Sequence, residues 1–378
     1  MSPNENALAG VDYAKMKGFK NLMKEVCQQT QYLPAKKGVN IVPAKHAAFC
    51  EFHGTGFHAW LTTKEGLGNK AWISMLLNHL GLRDPKGFFH FGGIGIDTFL
   101  MGANDNAAHG GDPVLYMDEV SCGSDDFFQS PMAIALAGSF MQACRMASCA
   151  LGQGESPAYR YLMNAEPPVE YAPSLSVCVV GLLNPASRFI SGDRVAPGDI
   201  LIGFPSSGLH ANGISPIIRR VMQLPDGFLT KLNGWTVGQE ALIPTRSYVG
   251  LVQALICAGI DIHGFLPVTG DGIGKLGVDK RHHFVVDNWV ENIPPLFSFM
   301  REMGMTRRDL AETFNCGIGY IAMVPPNEVD DVMRVGQQTQ IDGETDNYDP
   351  IVIGHVEEGD PGTDFVPWGL HLPPPGEE

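Results

Sequence analysis

The chain has 378 residues, with 26 Lys and Arg against 41 Asp and Glu, a net charge of −15, and 44% apolar against 18% charged residues. That length suits two domains of the usual ~100 to 200 residues, the composition excludes long disorder, and the acidic balance disfavours a non-specific grip on nucleic acid. Cys27, Cys50, Cys122, Cys144, Cys149, Cys178, Cys257 and Cys316 lie scattered without a C-x-x-C pair, as in reduced thiols of a cytoplasmic protein rather than a disulfide frame or zinc site.

The opening MSPNENALAG has no basic segment leading into an apolar core, and no apolar run reaches ~18 residues, so neither export nor membrane spanning is expected. Residues 13–28 then place Met16, Phe19, Leu22, Met23 and Val26 at helical spacing, which predicts an amphipathic helix. The stretch TTKEGLGNK, 62–70, reads as a short turn. Gly66 and Gly68 would let the backbone reach positive φ and approach a ligand, Glu65 could hold Mg²⁺, and Lys70 could hold phosphate. It is not a Walker loop, because Ala71 follows the lysine, and an ordinary surface turn is the alternative.

A helix is predicted over 94–108, stopped by His109-Gly110-Gly111-Asp112-Pro113. Asn104 and Asp105 sit within its apolar pattern, where a carboxylate is costly to bury unless paired or metal-bound. Asp105 is therefore a metal candidate, with a solvent-facing helix-end carboxylate as the alternative. Asp97 lies eight residues earlier, about 12 Å along the axis, too far to share one ion directly. Residues 114–118 read as a buried strand, Ser130–Ala150 as a helix rich in small residues, and 176–183 as a second buried strand. Between them GQGES sets Glu155 beside flexible backbone, where it could join Glu65 and Asp105 around Mg²⁺.

The pattern restarts after Asn184-Pro185, so a domain boundary is expected near 185. A strand at 199–204 leads through PSSGLHANG into a helix at 214–223. Ser206, Ser207, His210 and Asn212 could meet a phosphate or a developing oxyanion at that helix start, although Asn212 or Ser215 could instead be a helix cap. A helix over 247–258 and strands at 283–287 and 318–325 follow. Gly272-x-Gly274-x-x-Gly277 matches a dinucleotide fingerprint formally, but no clear helix follows it, and the match is taken as accidental. His282-His283 reads as an exposed pair at a strand start. The Pro- and Gly-rich stretch from 358 reads as an irregular arm. Neither a G-x-S-x-G elbow nor an H-E-x-x-H motif occurs. Helices and strands alternate in both halves, which gives an α/β or α+β class.

Four of these pieces, in order, carry a resemblance: GIDTFLMGANDNAAHGGDPVLYMD (95–118), SSGLHANGIS (206–215), PTRSYV (244–249) and TFNCGIGYIAMVP (313–325). From Gly10 to about Val324 the chain resembles the phosphoribosylformylglycinamidine cyclo-ligase family, also called aminoimidazole ribonucleotide synthetase. The resemblance implies an N-terminal domain, 1–185, for ATP, metal and dimerisation, its mixed sheet pairing with that of a second copy into a barrel. A C-terminal domain, 186–357, would complete the active site, with 358–378 as a tail. It implies that ATP phosphorylates the formamide oxygen of formylglycinamidine ribonucleotide, after which a nitrogen closes the imidazole ring and phosphate leaves. It also implies roles: Asp105, Glu65 and Glu155 for Mg²⁺, Lys70 and Lys24 for phosphate oxygens, and His210 for the formamide or a proton. Gly66, Gly68, Asn104, Ser207 and Asn212 would serve the nucleotide.

The sequence departs from the family's usual Thr-Asp-Gly-Val-Gly-Thr-Lys in Lys64, Glu65 and Asn69, and from its Thr-Gly-Gly-Gly in Asp271. Its Gly-Gly-Glu-Thr appears as Gln153-Gly154-Glu155-Ser156, and QYLPAKKGVNIVPAKHAAF stands where a glycine-rich loop is expected. A relative acting on another amide-type substrate, or a non-catalytic nucleotide-binding partner, is therefore the alternative reading.

Overall fold

The first helix starts where the sequence provides a cap. In the computed structural model, which describes residues 9–43, 47–83 and 90–375, Asp12 Oδ1 accepts from the Ala14 N–H at 2.8 Å and α1 runs Tyr13–Thr30. Met16, Phe19, Met23 and Val26 are buried along one side, the stripe that their spacing requires. Lys15 ties the helix down through Asp125 and Asp126, at 3.0 and 2.6 Å. The expectation for the first eight residues lies outside the described residues, as does the 44–46 part of the loop that replaces the glycine-rich one.

The chain forms two units. The first comprises 1–103 and 113–182. Its four-stranded sheet has the order β3-β6-β4-β5, from β3 (Ala59–Leu67), β4 (Asp112–Cys122), β5 (Ala150–Glu155) and β6 (Pro173–Leu183). A two-stranded hairpin, β1 (Val39–Pro43) with β2 (Ala48–Phe52), packs Val39 and Ile41 against Val114, Leu115, Ala150 and Leu182. Helices α2 (Lys70–His79) and α4 (Pro131–Met146) and the 94–103 part of α3 (Ile94–Ala108) complete the set. Ser130 caps α4, accepting from the Ala133 N–H, and Pro131 occupies its first turn. The stretch 62–67 is thus strand rather than turn, because it alternates half-buried and exposed positions along β3. The chain bends into α2 at Gly68-Asn69.

The second unit comprises 104–112 and 183–378. Its core is a seven-stranded mixed sheet, ordered β10-β12-β7-β13-β11-β14-β15. These are β7 (Ile200–Pro205), β10 (Gly264–Pro267), β11 (His283–Val286), β12 (Ile318–Val324), β13 (Ile351–Glu357), β14 (Gly362–Phe365) and β15 (Leu370–Leu372). β12, between β10 and β7, is buried at every position, as a strand covered on both faces must be. Helices α5 (Ile214–Val221), α6 (Val249–Cys257) and α7 (Val329–Gln338) belong to this unit, as does a short antiparallel pair, β8 (Lys231–Leu232) with β9 (Trp235–Thr236).

The expected irregular arm from 358 is corrected here. Glycines at 362 and 369, with φ of +155° and +66°, turn the chain so that β14 pairs parallel with β11 and β15 antiparallel with β14. Phe365 and Leu372 are buried, so a Pro- and Gly-rich composition here marks tight corners rather than irregular chain. No helix among the described residues is long and apolar enough to cross a membrane.

Candidate active site

In the first unit, the end of β5 and the outer face of α1 enclose a cavity of about 370 Å³. Lys20, Lys24, Gln31, Asp118, Gly154 and Glu155 are among its lining residues. Two sequence candidates, Lys24 and Glu155, therefore share one cavity. The register of the parallel strands sets Asp118 beside Gly154 and Glu119 beside Glu155, so the acidic groups gather at one strand end. Asp118 is 6% exposed, and neither of its oxygens meets a hydrogen-bond partner from another residue. Burial pushes its carboxyl up to about 7, with Glu155 and Glu119 adding repulsion and its own backbone N–H opposing. Glu155 is exposed and accepts from the Ser156 N–H at 3.0 Å.

Other candidates of this unit have different surroundings. Lys70 is fully buried and its Nζ lies 2.9 Å from Asp97, so its ammonium is held by a carboxylate. Burial pulls its ammonium down and Asp97 opposes that pull. Gly66 and Gly68 do not adopt positive φ, which corrects that expectation. Both are exposed with open space where a side chain would stand, so they present bare backbone. Glu65 is half-buried on β3, and its neighbour Lys64 turns the other way to donate to Ser176 Oγ at 2.6 Å.

In the second unit the candidates converge on the turn that carries PTRSYV. Asn104 is a clamp: its Nδ2 donates to the Arg246 carbonyl at 3.0 Å and its Oδ1 accepts from the Tyr248 N–H at 2.9 Å. His210, buried and at φ +61°, accepts at Nε2 from the backbone N–H groups of Ser207 and Arg246, at 3.3 and 3.5 Å. That contact assigns the ring proton to Nδ1. Ser207 Oγ donates to the Pro244 carbonyl at 2.6 Å. Tyr248 and Tyr320 stack at 4.8 Å. Burial, then the half-buried Asp105 and Tyr248, push the Tyr320 phenol well up. Gly319 has to be glycine, since a Cβ would collide with the Tyr248 hydroxyl, which explains one residue of the 313–325 motif.

Asn212 is half-buried beside Gly213, and Gly213 is the cap of α5 with no side-chain capping bond. Asp271 is exposed at φ +67°, a conformation that Asp tolerates better than most residues, and the 3-10 turn Gly272–Asp279 follows it.

Sequence reasoning missed Asp118 and Arg246. A carboxylate directly after the apolar run VLYM, inside β4, was the available signal for the first. Arg246 lay inside a quoted motif, but its bidentate pair with Glu344, 2.9 Å at each bond, joins residues far apart in sequence. Among the described residues no group of three or more His, Cys, Asp or Glu could hold a metal ion. Mg²⁺, however, is ordinarily held by one or two carboxylates and the phosphates of its ligand, which Glu155 in a cavity with two lysines can suit.

No family model matches the chain. It is 32% identical over 281 residues to the phosphoribosylformylglycinamidine cyclo-ligase of Agathobacter rectalis, covering 72% of this chain and 77% of that protein. Among solved structures, the hydrogenase maturation protein HypE of E. coli superposes with a TM-score of 0.58 at 14% identity, over 96% of this chain and 98% of that one. A HypE crystallised in complex with ATP superposes at 0.55 and 15% identity, over 86% and 87%. At such identities the structures speak for the α/β fold.

Proposed function

The chain belongs to the phosphoribosylformylglycinamidine cyclo-ligase family, and from that premise we propose that it closes formylglycinamidine ribonucleotide to aminoimidazole ribonucleotide with ATP, in purine biosynthesis. The observation that carries this reading is 32% identity sustained over 77% of a named cyclo-ligase.

The γ-phosphoryl group of ATP goes to the formamide oxygen, which turns that oxygen into a leaving group. A nitrogen of the amidine then attacks the formyl carbon, the C–O bond breaks, and phosphate departs with the oxygen. Such chemistry needs neutralised phosphates and a positioned acceptor more than covalent help from the protein. Mg²⁺ bound with ATP would supply charge neutralisation, and Glu155, the sequence-assigned carboxylate that lines the cavity, would hold it. Lys24, which lines the cavity with Lys20, meets phosphate oxygens. The bare backbone of Gly66 and Gly68 leaves room for the nucleotide, and Lys70 orders the start of α2 beside it. Asn104 and Ser207 hold the 244–248 turn in place, and Asn212 contacts the ligand at the start of α5. His210, with its proton on Nδ1, donates to the formamide. The protein works as a homodimer in the cytoplasm, its four-stranded sheet pairing with that of a second copy.

The test is phosphate release by the purified chain with ATP, Mg²⁺ and formylglycinamidine ribonucleotide, with the aminoimidazole product followed in the same tube. One product per phosphate is expected. ATP binding without product would overturn the reading in favour of another substrate or a non-catalytic partner.

A further inference from the structure

Asp118 is the polar group of the first unit that its surroundings account for least. It is 6% exposed, neither oxygen is met by another residue, and it lines the cavity of about 370 Å³ beside α1. Burying a carboxylate without a partner is costly, and a site usually bears that cost for a ligand. Gly154, its register partner on β5, must lack a side chain, because a Cβ there would collide with Asp118 Oδ1. The strand pair is therefore built around this carboxylate. Glu155 and Glu119 add negative potential to it. What meets it must donate hydrogen bonds and welcome negative charge.

An amidine has that character. Its two nitrogens present parallel N–H groups and carry positive charge when protonated, the fork geometry that a carboxylate accepts bidentately. The corresponding amide turns a carbonyl oxygen toward the same place, so two acceptors would face each other. We propose, resting on the cyclo-ligase reading, that Asp118 recognises the amidine of the substrate and is the residue that separates the amidine ribonucleotide from its amide counterpart. A site built to pair with an N–H rejects an analogue lacking it far more strongly than an apolar pocket rejects a change of size.

The experiment is calorimetric binding of formylglycinamidine ribonucleotide and of the corresponding amide to the full chain, for wild type and Asp118→Asn, with Mg²⁺-ATP titrated separately. The wild type should favour the amidine by about 30-fold, within the range of one charge-assisted pair. Asp118→Asn should bring the two ligands within about threefold and leave Mg²⁺-ATP affinity unchanged. An undiminished preference in the variant would overturn the assignment. So would a loss of Mg²⁺-ATP affinity with the preference intact, which would make Asp118 a metal ligand. Should the variant fail to fold, the wild type still decides, since equal affinity for the two ligands removes the basis of the proposal. A wild type that binds neither ribonucleotide defeats the cyclo-ligase reading itself, a different result from binding both alike.

Discussion

The ammonium of Lys70 stands 2.9 Å from both carboxylate oxygens of Asp97, and both side chains are completely buried. The pair joins the first residue of α2 to the first turn of α3. Removing one member of a buried pair leaves the other charge uncompensated, at a cost of about 3–5 kcal/mol. Lys70→Met should therefore lower the urea midpoint of the first unit's transition by an equivalent amount. A variant with unchanged stability but lost ATP binding would instead make Lys70 a nucleotide ligand that merely rests on Asp97.

Gly154→Ala should cost about 1–3 kcal/mol, because the added methyl has to displace the Asp118 carboxylate from well-packed surroundings. In the double variant Gly154→Ala/Asp118→Gly most of that loss should return, because the colliding group is gone. A double-mutant cycle by chemical denaturation measures the coupling, and additive losses would show that the two residues do not compete for the same space.

Asp118 also makes stability depend on pH. Its folded carboxyl titrates at about 7, raised from 3.8, so between those values the unfolded chain gives up a proton that the folded chain keeps. The group therefore contributes nothing below about pH 4, and opposes folding increasingly as pH rises to about 7, by about 2–4 kcal/mol at the plateau. Asp118→Asn should gain stability relative to wild type at pH 8 and much less at pH 5. Equal gains at both would mean that the carboxyl ionises normally.

Ending the chain after Asp360 removes β14 and β15 and uncovers the Trp289 ring, which packs 5.0 Å from Phe365. Burial of Phe365 and Leu372 predicts a loss of at least about 3–5 kcal/mol, the scale of deleting one large core side chain. Hydrogen exchange at the Phe284 and Val286 amides should rise with it. Unchanged protection there would show that β11 needs no partner on that side.

The sequence was most informative where one side chain's character repeats at a fixed period. The stripe of Met16, Phe19, Met23 and Val26 sets α1, and the unbroken apolar run of 318–324 sets β12. It was misleading where glycines and charges looked like loop chemistry. TTKEGL alternates as a strand does, with Thr63 Oγ1 donating inward to the Gly102 carbonyl at 2.8 Å and Lys64 facing away. The tail was misread for a related reason, since Gly362 and Gly369 turn corners between strands and their composition alone cannot distinguish that from disorder. Of the site, Asn104 and His210 were legible as polar residues in apolar or glycine-rich settings. Their actual partner is the 244–248 turn, more than thirty residues from His210 and further still from Asn104, and no local pattern encodes such a meeting. Asp118 was hidden by its own strand, because a buried strand is read by its apolar residues, and the acid lies within β4 (Asp112–Cys122).

The strand order of the second unit also sets a timetable for the ribosome. β7 lies inside the seven-stranded sheet, between β12 and β13, yet it is the first strand of that sheet to be made. A nascent chain has to carry its apolar ILIGF segment without either neighbour until synthesis passes residue 318, and β13 arrives later still. During that interval an open, strongly strand-forming edge is exposed. Recovery of active protein should therefore depend more on chaperone supply and translation speed than the stability of the finished fold suggests.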